Sequence, residues 1–302
     1  MNVSIVICSY NPTLHLAYAL DSLLPQSKQI YQVVVLIDNE KYADYANTIL
    51  DQYRNLFNLV TVHVQPNSGR SAARNAGAKL SKGDLLLFLD DDMIAEDGLV
   101  EKHLVYHVSN TNSIIIGNGF RNPVYARDDF SKYLMEVEHS WFTSMKDKEK
   151  VDYNNFSFTA CNMSIPVNAF NRLNGFDSQL KDAEDFDFGV RALNMGLNIL
   201  YDRALVAWHN DWPDIKSFII RQNEYTLGKE KLAEIHPDYL KHFPDLLQGK
   251  SSFIKKIRSF IIRNSLSRIV INNSSVFRIL GLEYKFSLYR LTISANSLIN
   301  KW

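Results

Sequence analysis

Three aspartates closing an apolar run are the side chains of this chain best suited to chemistry. Residues 85–93 read LLLFLDDDM, a composition that fits a buried strand. At its end Asp90, Asp91 and Asp92 repel one another unless a cation or a hydrogen-bonded ligand relieves the charge. A hard divalent ion answers this best. Oxygen ligands suit Mg2+ or Mn2+, and a metal held by one or two carboxylates completes its shell with water and substrate phosphates. The stretch therefore predicts a nucleotide-phosphate site; the plainer alternative is an acidic turn capping the next helix.

Four further constellations could serve such a site. In SIVICSYNP, Tyr10 could stack on a base and Ser9 or Asn11 could hydrogen-bond it, unless the segment is simply a strand and a Pro-containing turn. Asp38, ending VVVLID, is either a base or ribose contact or a helix cap. In NSGRSAARNAG the small residues let a helix approach a sheet closely, and Arg70 and Arg74, four apart, share one helix face where they could anchor a diphosphate or base. The alternative there is a packed helix with solvated arginines. No Walker phosphate loop and no GxGxxG is present. In GFDSQLKDAEDFDFGVRAL the acids 177, 182, 184, 185 and 187 gather where a helix begins. They complement its dipole, or one of them faces the crevice with Phe186 and Phe188 raising its basicity enough to take a proton from a sugar hydroxyl. His209, at the end of ALVAWH, is a further metal ligand or a satisfied half-buried histidine.

These groups need a scaffold that brings them together. Residues 3–8, 33–37, 59–64 and 84–89 read as strands with helical patterns between them, which predicts parallel crossovers and a doubly wound α/β sheet. Such sheets bind ligands beyond the carboxyl ends of their strands, where Ser9, Tyr10, Asn11, Asp38 and Asp90 to Asp92 all fall. Residues 113–119 and 156–165 are expected as further strands, 70–80 and 184–195 as helices, and 198–201 as a strand. Pro166 is expected to open a short helix. Residues 121–152 predict a mobile, partly helical excursion that covers the substrate.

Composition narrows the class. The chain has 302 residues, 46% hydrophobic and 22% charged, enough for one large α/β domain with an appendage. Cys8 and Cys161 are its only cysteines, so a disulfide framework or a four-ligand zinc site is excluded and a reducing, cytoplasmic setting is expected. The apolar run at the N-terminus is too short for a signal sequence or a membrane span. Formal charge is zero, yet residues 249–302 carry ten Lys or Arg against the single acid Glu283.

Together, SIVICSYNP, Asp38, NSGRSAARNAG, FLDDDM, ACNMSIP, NGFD, AEDFDFGVRAL and His209 resemble the GT-A fold glycosyltransferases of family 2, the inverting nucleotide-sugar enzymes, over about residues 1–230. The resemblance implies a GT-A type, mostly parallel mixed sheet. It places Tyr10 and Asp38 at the nucleobase, Arg70 or Arg74 near base and phosphates, Asp90 toward the ribose, and Asp92 on Mn2+ or Mg2+, the three aspartates matching the DxD motif. Asp185 becomes the catalytic base and Glu184 orients the acceptor. After the second strand the family commonly carries a second acid and a glycine, where this chain has Asn39 and Glu40. The implied reaction is a single in-line displacement from a nucleotide diphosphate sugar, with a UDP-sugar expected, onto a glycan or lipid-linked saccharide. A noncatalytic sugar-binding or scaffolding subunit is the alternative, and a sugar nucleotidyltransferase a more distant one that lacks its Gly-rich phosphate loop here.

The division expected is a catalytic domain over 1–230, with a donor half to about 120 and an acceptor half beyond, then a helical basic extension over 231–302. In that extension Phe253, Ile254, Ile257, Phe260 and Ile261 share one helical face, with Lys255, Lys256, Arg258 and Arg263 around the other. This predicts a helix lying on an anionic membrane surface, peripheral on the cytoplasmic face. Packing against the catalytic domain or another subunit is the alternative. Nucleic acid is not an expected partner.

Overall fold

The computed structural model describes residues 1–110, 112–145, 150–247, 267–271, 273 and 275–297. The basic amphipathic segment from Phe253 to Arg263 lies outside the described residues. Two compact units are present, one formed by Met1–Asn122 with His139–Asp211, the other by Pro123–Glu138 with Trp212–Trp302.

The first unit is built on β1 (Val3–Ser9), α1 (Leu14–Leu23), β2 (Ile30–Ile37), α2 (Ala43–Leu50), β3 (Val60–Val64), α3 (Arg70–Leu80), β4 (Leu85–Asp90), β5 (Met93–Ala95), α4 (Leu99–Ser109) and β6 (Ser113–Asn118). After helix α5 (Asp129–Ser144), which both units share, come β7 (Asn162–Pro166), α6 (Val167–Arg172), α7 (Glu184–Asn194) and β8 (Asn198–His209). The eight strands form one sheet in the order β3-β2-β1-β4-β7-β6-β8-β5. Pairs β1–β2, β1–β4, β2–β3 and β6–β8 are parallel, whereas β7 runs antiparallel to both its neighbours. The expected mixed α/β sheet is therefore present. Its central strands are apolar on both faces because helices cover both, and β1, β2 and β4 are buried almost throughout.

Strand order reverses beside β1: the chain moves outward through β2 and β3, then returns on the other side as β4. Such a switch point leaves a crevice beyond the strand ends. Helix α3 packs tightly on this part of the sheet, since a Cβ added at Gly77 would lie 2.5 Å from Val6 Cγ1. Behind the site, His103 and His107 of α4 sit in a buried polar network with β7. Ser164 Oγ lies 2.8 Å from His103 Nδ1 and 2.8 Å from His107 Nε2, and His103 Nε2 lies 3.0 Å from Asn162 Oδ1. Because Asn162 offers an oxygen there, His103 must carry its proton on Nε2; Ser164 then donates to His103 and accepts from His107. Both rings are neutral, burial pushing His103 down to about 3 and His107 to about 4.

Three elements differ from the sequence expectation. Only Asn162–Pro166 of the run 156–165 is a strand. Phe156 and Phe158 alternate because their rings pack on α7, 4.8 Å from Phe186 and 6.1 Å from Phe188 respectively. The two short runs ending in Tyr201 and His209 are one continuous strand, β8. The short strand β5, directly after the aspartates, had no apolar run of its own to announce it.

The second unit is helical. Helix α8 (Ile215–Ile235) and helices Ser267–Ile271, Ser275–Arg278 and Leu282–Ser297 accompany the first part of α5. Phe130, Tyr133 and Leu134 form a core with Ile219, Val270, Phe277, Tyr289 and Ile293. Lys285 Nζ closes it with a 2.7 Å ion pair to Asp129. No helix among the described residues is long and apolar enough to cross a membrane.

Candidate functional site

The site grows from the end of β4. Asp90 is its last residue, and the two-residue turn Asp91–Asp92 leads into β5, which pairs antiparallel with β8 so that Met93 faces His209. That register brings together residues more than a hundred positions apart. His209 Nε2 lies 3.2 Å from Asp92 Oδ2, and Asn210 N donates to the Asp92 carbonyl at 2.9 Å. Just beyond β8, Asp211 joins them: one ligand atom each from Asp92, His209 and Asp211 lie within 4.8 Å of one another. Asp92 Oδ1 is buried without a hydrogen-bond partner. Burial opposes charge on Asp92, but the charge and hydrogen bond of His209, with a backbone hydrogen bond and the charge of His15, together outweigh it and hold the carboxyl below its usual range. An ionised carboxylate with an orphaned oxygen, an imidazole and a second carboxylate form a donor set that fits Mn2+ or Mg2+.

The other two aspartates have protein partners. Ser9 Oγ donates to Asp91 Oδ2 across the switch point. Burial and then the charge of Asp92 push Asp91 up to about 7, against that hydrogen bond. Asp90 Oδ1 accepts from Arg74 Nη2 at 2.9 Å.

Arg74 links β4 to the start of α7. Its Nη1 donates to Glu184 Oε1 at 2.9 Å, and Arg70 Nη1 reaches the same oxygen at 3.2 Å. The Arg74 side chain is 6% exposed and Glu184 1%, whereas Arg70 is 40% exposed. Burial lowers the Arg74 guanidinium, but Asp90 and Glu184 more than offset it and raise it above its ordinary value. The Phe176 ring lies beneath it, 5.4 Å from the guanidinium carbon. Phe176 is fixed in turn by α3, since Asn75 exchanges hydrogen bonds with its backbone N and O at 2.8 Å each. Gly175, at φ 67°, admits this contact because a Cβ there would meet Asn75 Oδ1 at 2.4 Å.

The acids at the start of α7 therefore have distinct roles. Asp187 pairs with Arg191 at 2.8 Å within the helix, and Asp182 lies 3.8 Å from Arg70. Glu184 is held by the two arginines. The resemblance implies that it orients the acceptor; here both arginines bind its Oε1, and its buried Oε2 has no hydrogen-bond partner. Asp185 makes no salt bridge among the described residues. It is half-buried, and burial followed by the charge of Glu184 raises its carboxyl to about 7, against the pull of Arg74. A carboxylate of that basicity can accept a proton near neutral pH.

Tyr10 is 55% exposed and Asn11 is exposed, both directly after β1, while Ser9 is 1% exposed. Asp38 is 4% exposed and its carboxylate accepts from Gln65 Nε2 at 2.7 Å, Ser68 N at 3.0 Å and Gly69 N at 2.9 Å. Three of its roughly four acceptor positions are thus spent on the turn that launches α3. Sequence reasoning missed Asp211, Arg121 and Gln65 at this site. Arg121 is 7% exposed, bridges to His209 and donates to the Asp211 carbonyl. The His-Asn-Asp run carried a signal for Asp211; Arg121 and Gln65 lie in no recognisable pattern.

Comparison with known proteins follows the same lines. A profile described as Glycosyl transferase family 2 matches residues 4–173, more than half of the chain. An uncharacterized glycosyltransferase of Haemophilus influenzae is 26% identical over 191 residues, covering 63% of this chain and 62% of that protein. The glucosyl-dolichyl phosphate glucuronosyltransferase of Haloferax volcanii is 24% identical over 187 residues, covering 59% of this chain and 56% of that protein. The chain thus spans less than two thirds of these relatives. The fold is shared with a mannosyltransferase of Pyrobaculum calidifontis in complex with GDP-Man and Mn2+, at TM-score 0.63 and 13% identity over 100% of this chain and 88% of that one. It is shared too with S. aureus TarS 1–349 in complex with UDP, at TM-score 0.57 and 17% identity over 98% and 89%.

Proposed function

The chain belongs to glycosyl transferase family 2, and from that membership we propose that it is an inverting, hexosyl-transferring enzyme that moves a sugar from a nucleotide diphosphate sugar, a UDP-sugar, to a hydroxyl of a glycan or lipid-linked saccharide. The observation that carries this reading is three sets of polar contacts, Glu184–Arg74–Asp90, Ser9–Asp91 and Asp92–His209, brought side by side by the consecutive residues Asp90 to Asp92. UDP and GDP-Man bound to neighbours of the same fold favour a nucleotide-sugar donor.

Asp185 takes the proton of the acceptor hydroxyl as its oxygen bonds to the anomeric carbon, and the bond from that carbon to the diphosphate oxygen breaks with its electron pair leaving on the diphosphate. Attack from the opposite face inverts the anomeric centre. Asp92, His209 and Asp211 would hold Mn2+ or Mg2+, which when bound offsets charge on the departing diphosphate. Tyr10, with its exposed ring, stacks on the base beside Ser9, Asn11 and Asp38. Arg70 reaches toward the phosphates, while Arg74, occupied by two carboxylates, fixes Asp90 toward the ribose and keeps Glu184 in place beneath the acceptor side. We assign catalysis to residues 1–230 and attachment to an anionic membrane surface, on the cytoplasmic face, to the basic extension. The glucosyl-dolichyl phosphate relative favours a lipid-linked acceptor.

Screening nucleotide sugars for diphosphate release with Mn2+ or Mg2+, then repeating the positives with chelator, tests the reading. UDP-sugar turnover that chelator abolishes is expected. Asp185→Asn should keep donor binding and lose turnover by at least about a hundredfold; undiminished turnover would remove Asp185 as the base.

A further inference from the structure

Large apolar side chains scattered singly on a surface are ordinary, whereas several within one turn mark a contact. In the helical unit, residues 276–284 join helices Ser275–Arg278 and Leu282–Ser297 and expose Val276 at 63%, Ile279 at 83%, Leu282 at 41% and Tyr284 at 70%. The turn is well anchored. Phe277, among these residues, and Lys285, directly after them, point inward: the Phe277 ring packs 5.3 Å from Tyr289, and Lys285 lies 5.6 Å from the Phe277 ring while pairing with Asp129. The outward residues are therefore presented by a formed core, which itself uses none of them.

We propose that this turn is an apolar wedge that enters the interfacial layer of an anionic lipid bilayer. The proposal rests on the reading of the basic extension as membrane-facing and names the part that inserts. Charge complementarity selects the occupant: the wedge itself is balanced, with Arg278 and Glu283 both exposed, but Glu283 is the one acid against ten Lys or Arg over residues 249–302, so the sequence that carries the wedge is strongly basic. Branched aliphatic tips with a tyrosine at the rim match the boundary between headgroups and acyl chains.

The test is co-sedimentation of the full chain with phosphatidylcholine vesicles with and without phosphatidylglycerol. Wild type should partition onto the phosphatidylglycerol vesicles, and the uncharged double variant Ile279→Ser/Tyr284→Ser should lose about tenfold or more of that partitioning while its melting temperature stays unchanged. A double variant that partitions like wild type overturns the wedge. If it does so while Lys255→Gln/Lys256→Gln/Arg258→Gln detaches, membrane attachment stands without insertion. Failure of wild type to sediment with either vesicle overturns both. A double variant that turns a dimer into a monomer by light scattering, with partitioning intact, makes the turn an interface between copies and also refutes insertion.

Discussion

Replacing Arg74 by Met tests the central link of the site. The side chain is 6% exposed, its two terminal nitrogens each sit 2.9 Å from a carboxylate oxygen, and one of those carboxylates, Glu184, is 1% exposed. Truncating one partner of a buried ion pair costs about 3–5 kcal/mol, because the other charge is left without compensation. Arg70 remains 3.2 Å from Glu184, but at 40% exposure it is partly screened. The expected loss is therefore near the lower end, about 3 kcal/mol. Methionine fills most of the same volume over Phe176, so little of this comes from lost packing. Adding Glu184→Gln removes the stranded charge, and the double variant should regain about 2 kcal/mol of the loss. Arg74→Lys should fall between, since a single ammonium cannot span both carboxylates as a guanidinium does. Urea unfolding of wild type, Arg74→Met, Glu184→Gln, their double variant and Arg74→Lys, five proteins at constant m-value, measures all of this. A loss below about 1 kcal/mol for Arg74→Met, or strictly additive single changes, would refute the bridging role.

Four further outcomes are expected. Because burial and Glu184 raise Asp185 to about 7, its base form and hence kcat should fall as pH drops below about 7, a limb absent from Asp185→Asn. A raised carboxyl stabilises the folded state at low pH and loses that contribution as pH rises through its folded value. Asp185→Asn should thus melt higher than wild type at about pH 8 and not at about pH 4, and equal differences at both would contradict the burial argument. Asp92→Asn, His209→Ala and Asp211→Asn should each weaken Mn2+ binding by about tenfold or more in calorimetry with UDP present; wild-type affinity in Asp211→Asn would take Asp211 out of the donor set. Gly77→Ala forces a methyl to within 2.5 Å of Val6 Cγ1 and should cost about 1–3 kcal/mol of unfolding free energy.

Much of the frame was written in local pattern. Apolar runs closed by polar residues predicted β1, β2, β3, β4 and β6, and the stretch after Gly69 became α3 over the expected residues Arg70–Leu80. Periodicity is a property of neighbours along the chain, so sequence carries it directly. It misled where apolar alternation served a different partner: Phe156 and Phe158 pack on α7 from a loop, and period two does not say what a side chain touches.

The amino-acid sequence by itself determined which kinds of group were available: three aspartates at a strand end, arginines four apart on a small-residue helix, acids opening another helix. Only the tertiary structure decided their partners. Asp211 joins Asp92 because β5 pairs with β8, and Asp185 stands apart from its acidic neighbours because Arg70, Arg74 and Arg191 arrive at the others. The physical reason is distance along the chain. Donor sets and charge pairs form between residues up to 156 positions apart, and their geometry is fixed by strand register and helix packing, which no window of local sequence contains.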